Sequence, residues 1–97
     1  MGKRKPFISV IIIVFNESKN IAQCLSRVRN QQYPKNKIEI ILVDDDSTDN
    51  TVEIASKYRV KTIRSGFRNC ERAKSIGIQH AKGELLLFLD ADVFLVK

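Results

Sequence analysis

Four short apolar runs, separated by amphipathic or turn-forming stretches, constrain this chain more than any other feature. Phe7 to Val14 is β-branched and nearly all apolar. Ile38 to Val43, the shorter Val60 to Ile63 and finally Leu85 to Leu89 follow it. A strand with no polar face is buried on both sides, as in a parallel sheet covered by helices. The intervening segments have helical spacing. Ile21, Leu25 and Val28 fall at i, i+4 and i+7 behind a cap at Asn16 or Ser18, and Tyr33-Pro34-Lys35-Asn36 breaks that helix. Ser47 or Thr48 is the predicted cap of a second helix, with Asp49 and Glu53 near its positive end and Val52, Ala55 and Tyr58 facing inward. After a basic loop, Glu71 to Lys82 reads as a third helix that buries Ala73, Ile76 and Ala81 and stops at Gly83.

This βαβαβαβ alternation predicts an α/β fold, a Rossmann-like, doubly wound, mostly parallel sheet with strand order 3-2-1-4. In that order the first strand lies between the second and fourth. The loop Phe15-Asn16-Glu17, the cluster Asp44-Asp45-Asp46 and the pair Asp90 and Asp92 then meet at one sheet edge. That edge is the topological switch point, where ligands bind in open α/β sheets.

Length and composition limit the rest. Ninety-seven residues, 43% hydrophobic and 29% charged, make at most one domain of the soluble globular class. No apolar stretch approaches the roughly 20 residues of a membrane span. Lys3-Arg4-Lys5 before Phe7 to Phe15 imitates a signal peptide, but no small-residue cleavage site follows, so the run reads as a strand. Cys24 and Cys70 have no metal-binding spacing and read as reduced structural cysteines of a cytosolic protein. The formal charge is +6, and Lys57, Arg59, Lys61, Arg64, Arg68, Arg72 and Lys74 crowd into one stretch. Such a stretch is either a solvated face or a surface for acidic partners: a diphosphate, an anionic membrane or nucleic acid. Aromatic residues do not interleave with it, which disfavours nucleic acid.

The acidic groups suggest the chemistry. In an extended chain, side chains at i and i+2 point the same way, so Asp90 and Asp92 form a chelating pair for a hard cation. Mg²⁺ prefers one or two carboxylates plus phosphate oxygens and water. None of the four glycines, at positions 2, 66, 77 and 83, supplies a phosphate-binding turn after the first strand, and no P-loop is present. A metal on Asp90 and Asp92 is therefore expected to hold the phosphates. The acidic residue after the second strand would face the sugar or base. A carboxylate only accepts, so it suits the ring N–H of uracil or the N1–H and N2–H₂ pair of guanine, which favours a UDP- or GDP-linked ligand over ATP.

Ser9-Val10-Ile11-Ile12-Ile13-Val14-Phe15-Asn16-Glu17 and Ile41-Leu42-Val43-Asp44-Asp45-Asp46-Ser47-Thr48-Asp49-Asn50-Thr51 are the first two segments of a longer resemblance. With Ala73 to Gly77, Gly83-Glu84 and Phe88-Leu89-Asp90-Ala91-Asp92, in that order, they resemble the family 2 glycosyltransferases over nearly the whole chain. The Phe15-Asn16-Glu17 and Asp90-Ala91-Asp92 segments are most similar to the polyprenyl- or dolichyl-phosphate sugar transferases. The resemblance implies that residues 1–97 form the nucleotide-sugar-binding half of a GT-A domain, incomplete at its C-terminus. It implies a nucleotide pocket of Ile13, Phe15, Glu17, Val43, Asp45, Lys74, Asp90 and Ala91, with Asp45 on the base. It also implies Mg²⁺ or Mn²⁺ on Asp90 and Asp92. The parent would be an inverting transferase acting on a UDP- or GDP-sugar, its acceptor site and catalytic base lying beyond Lys97. The acceptor would be a polyprenyl phosphate or a glycan.

The chain departs from the family's pattern at several positions. Ile13-Val14-Phe15 replaces a frequent Pro-Thr-Tyr, Asp46 stands at a usual glycine, and Lys74-Ser75 stands where Arg-Asn is common. Lys74 keeps the charge without the bidentate fork. The expected setting is the cytoplasm or the cytoplasmic face of a membrane. The shortened domain is expected to bind nucleotide without turnover and to self-associate through its fourth strand, with Val93 to Val96 extending the apolar character. Two other readings compete: an inert nucleotide-binding or interaction module, and a haloacid-dehalogenase-like phosphatase, whose Asp-x-Asp normally opens the fold and wants Thr or Val where Phe94 stands. His80 reads as the end of a helix, and Asp44 and Asp46 as turn and capping groups.

Overall fold

The computed structural model describes residues 4–66 and 68–92. Four parallel strands form the sheet: β1 (Ile8–Val14), β2 (Ile38–Asp44), β3 (Lys61–Arg64) and β4 (Leu85–Asp90). Their order is β3-β2-β1-β4, as the alternation predicted. Three helices connect them: α1 (Ile21–Arg29), α2 (Thr51–Ala55), followed by a 3₁₀ turn over Ser56–Tyr58, and α3 (Cys70–His80). A second 3₁₀ turn, Lys35–Lys37, leads into β2. No helix among the described residues is long and apolar enough to cross a membrane.

Strand alternation divides the core in two. Val10, Ile12 and Val14 pack with Ile40 and Leu42 under Ile21, Cys24, Leu25 and Val28 of α1 and Ala55 of α2. Ile11, Ile41 and Val43 face the other way, under Ala73 of α3. Gly77 lets α3 come close: a Cβ there would lie 2.7 Å from Ile11 Cγ2. The apolar stripe of α1 is as predicted, with Cys24 added to it.

Element ends differ from the sequence reading for identifiable reasons. The α1 helix starts at Ile21 behind Asn20, without a side-chain cap, because Asn16 is engaged with another loop. The α2 helix is capped by neither Ser47 nor Thr48. Asp49 Oδ1 accepts from the Thr51 N–H at 3.0 Å instead. The α3 helix starts one residue earlier than predicted, where Asn69 Oδ1 accepts from the amides of Glu71 and Arg72 at 3.0 and 3.2 Å. Gly83 is not a left-handed helix stop, since the helix ends at Ala81 in extended backbone. Gly83 is required because a Cβ would lie 2.6 Å from the Ser9 backbone nitrogen. Cys24 is buried and Cys70 exposed, both as free thiols, so only Cys24 has a structural role.

The outer strand β4 is open to solvent along most of its length. Leu85, Leu86, Leu87 and Phe88 are 53%, 40%, 45% and 42% exposed, on both faces of the strand. The apolar continuation Val93 to Val96, and with it Phe94, lies outside the described residues.

Candidate functional site

The C-terminal ends of β1, β2 and β4 lie side by side. Ile13 is in register with Val43 of β2 and with Asp90 of β4. These three residues form one row across the sheet, on the side of α3. Beyond the row the chain leaves each strand in a loop, and the loops are tied together by polar side chains.

Asn16 makes the main tie. It sits in left-handed backbone (φ 51°), and its Oδ1 accepts from the Thr48 N–H at 2.7 Å and the Asp49 N–H at 3.2 Å. Its own amide donates to Ser47 Oγ at 2.8 Å. The Glu17 amide donates to Thr51 Oγ1 at 2.9 Å, and Thr51 in turn donates to Asp49 Oδ1. That hydroxyl, ahead of the other hydrogen bonds, holds the Asp49 carboxyl below the usual carboxylate range. The Asn-Glu turn after β1 and the Ser-Thr-Asp turn after β2 are thus one cross-linked unit.

Asp45 anchors the next loop. The residue is 5% exposed, and its Oδ1 accepts from Ser65 Oγ at 2.7 Å and from the Asn69 N–H at 3.3 Å. Its backbone N–H donates to the Val14 carbonyl at 2.8 Å. Oδ2 has no donor among the described residues and is the oxygen available to a ligand. Asp44, fully buried, has structural duties: Oδ2 accepts from the Ser47 N–H at 3.3 Å and pairs with Arg64 Nε at 3.7 Å. Its Oδ1 is enclosed without a partner among the described residues. Asp46 has φ 77°, a left-handed backbone that glycine adopts without cost, which explains the glycine usual at this position.

Above this floor the Phe15 ring is stacked against the Arg68 guanidinium, 3.5 Å from its centroid. Planar cations on ring faces are favourable, by about 0.5–1 kcal/mol where exposed. Arg68 also has left-handed backbone (φ 48°), between Ser65 and Asn69, which both hold Asp45.

Asp90 and Asp92 are exposed, and Ala91 between them is buried against the α1 side. The strand ends at Asp90 and Asp92 stands in a turn, so the two do not share the extended segment that the i, i+2 spacing predicts. Asp92 follows the end of β4 by two residues and so lies at the same edge. Burial raises the Cys24 thiol pKa above its usual value, and the charges of Glu17 and Asp92 raise it further. Both carboxylates therefore lie within electrostatic reach of one thiol. No group of three His, Cys, Asp or Glu that could hold a metal occurs among the described residues. Two exposed carboxylates fit a cation whose remaining ligands are phosphate oxygens and water.

The fold thus gathers Ile13, Phe15, Glu17, Asp45, Asp90 and Asp92 at one edge. Val43 and Ala91 share that edge, but both residues are enclosed in the core and present no surface to a ligand. Lys74 is exposed on α3, and no described bond joins it to the cluster. Sequence reasoning missed Ser65, Asn69, Thr51 and Arg68. Asn69 was legible as an N-cap. The other three act across loops, and no local pattern marks such contacts.

The family model for Glycosyl transferase family 2 matches residues 9–97. Glycosyltransferase AglE of Haloferax volcanii is 41% identical over 98 residues, covering 95% of this chain and 32% of its own length. The dolichol-phosphate mannosyltransferase of Pyrococcus furiosus is 38% identical over 91 residues, covering 89% and 26%. Among solved structures, the mannosyltransferase PcManGT from Pyrobaculum calidifontis, in complex with GDP-Man and Mn²⁺, superposes with a TM-score of 0.90 at 26% identity. It covers 97% of this chain and 30% of that one. S. aureus TarS in complex with UDP gives 0.82 at 32% identity, covering 90% and 28%. The chain spans a third or less of the curated relatives described here.

Proposed function

The chain belongs to glycosyl transferase family 2, and on that premise we propose that it is the nucleotide-binding half of an enzyme moving sugar from a UDP- or GDP-sugar to an acceptor. The observation that carries this reading is Asp45. One of its oxygens accepts from Ser65 and Asn69, and the other has no donor among the described residues, at the switch-point edge where the Asp45 amide meets the end of β1. A held carboxylate with a spare oxygen is an acceptor for a base ring N–H. UDP and GDP-Man are the nucleotide ligands of the two solved relatives described above.

In this reading the Phe15 ring, on the face that Arg68 does not cover, supplies an apolar wall for the base. Glu17, anchored through Thr51, borders the ribose. Asp90 and Asp92 would hold Mg²⁺ or Mn²⁺, which supplies charge neutralisation for the leaving diphosphate. Mn²⁺ is present with GDP-Man in PcManGT. Lys74 would contribute only long-range positive charge. The acceptor, a polyprenyl phosphate or a glycan, and the base that deprotonates it belong in this proposal to the remainder of a longer protein. The free thiols Cys24 and Cys70 suit a reducing, cytoplasmic setting. Family membership leaves the phosphatase reading without support.

Calorimetric titration tests the proposal. UDP or GDP should bind with Mn²⁺, bind more weakly with chelator, and bind better than ADP or CDP. Asp92→Ala should abolish the metal dependence while leaving the base preference. Equal binding of ADP and UDP, or no effect of the metal on the unaltered protein, would refute the site.

A further inference from the structure

At the opposite end of the sheet, where α1 and the 3₁₀ turn Ser56–Tyr58 both finish, lies a cleft of about 310 Å³. Its walls are Arg29, Lys35, Lys57, Tyr58 and Arg59. Four of the five are cations, and no carboxylate lines it among the described residues.

Two of the cations are fixed by neutral groups. The Arg29 guanidinium donates from Nε and Nη2 to the Tyr58 carbonyl at 3.3 and 3.2 Å, and from Nη2 to the Arg59 carbonyl at 2.6 Å. Lys35 Nζ donates to the Arg29 carbonyl at 2.8 Å. Carbonyls orient a cation without neutralising it. Both side chains retain further N–H donors, because a guanidinium has five and an ammonium three. Arg59 closes the turn in left-handed backbone (φ 56°). The two ion pairs found among the described residues, Arg4 with Glu84 and Arg64 with Asp44, involve none of the four. Glu53 and Glu39, each four residues from a cation of the cleft, are the nearest acids in sequence; Glu39 accepts from Ser9 Oγ and the Lys82 N–H, and no ion pair joins either to the cleft among the described residues. Burial, and after it the charge of Arg59, lowers the Arg29 pKa, as expected where like charges crowd.

Four positive charges around one concavity, without an ion-pair partner among the described residues and two of them pre-oriented, form an electrostatic trap for a multiply charged anion. We propose that this cleft is a second binding site, independent of the nucleotide site, for clustered phosphate oxygens that together carry two or more charges. A soluble diphosphate offers that cluster in one molecule, and an anionic membrane offers it as singly charged headgroup phosphates side by side. Phosphate oxygens match both the guanidinium fork and the ammonium point charge.

The test uses the unaltered protein and Lys57→Ala/Arg59→Ala, which removes two exposed side chains and leaves the Arg29 and Lys35 anchors. Circular dichroism first establishes that both fold alike. Sodium pyrophosphate, without divalent metal and at low salt, is followed by amide chemical shifts. Vesicles of phosphatidylcholine with and without phosphatidylglycerol are followed by co-sedimentation. The expected result is that pyrophosphate shifts the amides of Lys35, Tyr58 and Arg59, and that the double substitution weakens binding by at least about tenfold. Added salt should weaken it as well. Binding to phosphatidylglycerol vesicles alone, lost in the double variant, supports the same site with a membrane as its source of phosphate. No binding in either arm, or binding that the double substitution leaves unchanged, overturns the proposal.

Discussion

Replacing Asp45 separates a structural duty from a recognition duty. Its Oδ1 accepts from Ser65 Oγ and the Asn69 N–H, while Oδ2 has no donor among the described residues. Asp45→Asn keeps a carbonyl oxygen for both donors and exchanges Oδ2 for an NH₂ group. Asp45→Ala removes both acceptors. The Asn69 bond is long, at 3.3 Å, and Asn69 is exposed, so water can replace it. Ser65 is buried, but its hydroxyl has a second acceptor in the Asp44 carbonyl, at 3.3 Å. Stranding a buried donor costs about 1–3 kcal/mol, and the second acceptor keeps Asp45→Ala to about 2 kcal/mol. In a domain of this size that is roughly 8–16 °C in melting temperature. Asp45→Asn loses only the charge assistance, about 1 kcal/mol or less. For recognition the order changes. An NH₂ facing a ring N–H is as useless as a methyl group, so both variants should lose the preference for UDP over CDP, by about ten- to a hundredfold. Thermal melting by circular dichroism, paired with calorimetric titration of UDP and CDP in Mn²⁺, reads both quantities. If Asp45→Asn melts as low as Asp45→Ala, the carboxylate does not hold the loop through Oδ1. If Asp45→Asn keeps the base preference, the base is not on Asp45.

Three further outcomes follow from the packing. Gly77→Ala puts a Cβ 2.7 Å from Ile11 Cγ2, beneath α3. It should lower stability by about 1–3 kcal/mol in chemical denaturation, and an unchanged midpoint would show that α3 is not close-packed there. The Arg4 guanidinium, followed by the Phe7 amide, pulls the Glu84 carboxyl down to about 2. A depressed carboxylate stabilises the fold above its unfolded-state pKa, and that contribution is lost as pH falls from there through about 2. NMR titration should place the Glu84 midpoint near 2 and return it toward the ordinary range in Arg4→Ala; equal midpoints would remove the pair from the acid response. The open β4 edge, with Leu85 to Phe88 exposed, should make the 97-residue chain self-associate despite its +6 charge, and Leu86→Lys should suppress this. Light scattering from a stable monomer at high micromolar concentration would refute it.

The strands, their order and the edge at which the acidic groups meet were legible in the chain itself. Runs such as Val10 to Val14 and Ile40 to Val43 are apolar at every position, and only a strand covered on both faces uses such a run. Parallel strands need crossovers, and few topologies satisfy that with four strands and three helices. Asp45, Asp90 and Phe15 could therefore be brought together from sequence, because strand ends are positions that periodicity defines. Other features depended on contacts between segments distant in sequence. Asn16 reads locally as a helix cap, but its oxygen is taken by Thr48 and Asp49, more than thirty residues away. Gly83 reads as a helix stop, but the Ser9 backbone excludes any side chain there. Ser65 and Asn69 converge on Asp45, and Arg68 reaches Phe15, only because β3 leads its loop back over the sheet edge. The basic cleft likewise forms where the ends of α1 and the Ser56–Tyr58 turn meet. Local sequence records which residues prefer to be buried, extended or helical, since those preferences act over a few bonds. Which hydrogen-bonding group finds which partner is decided by the closed fold, where a buried donor must take the acceptor that packing brings to it.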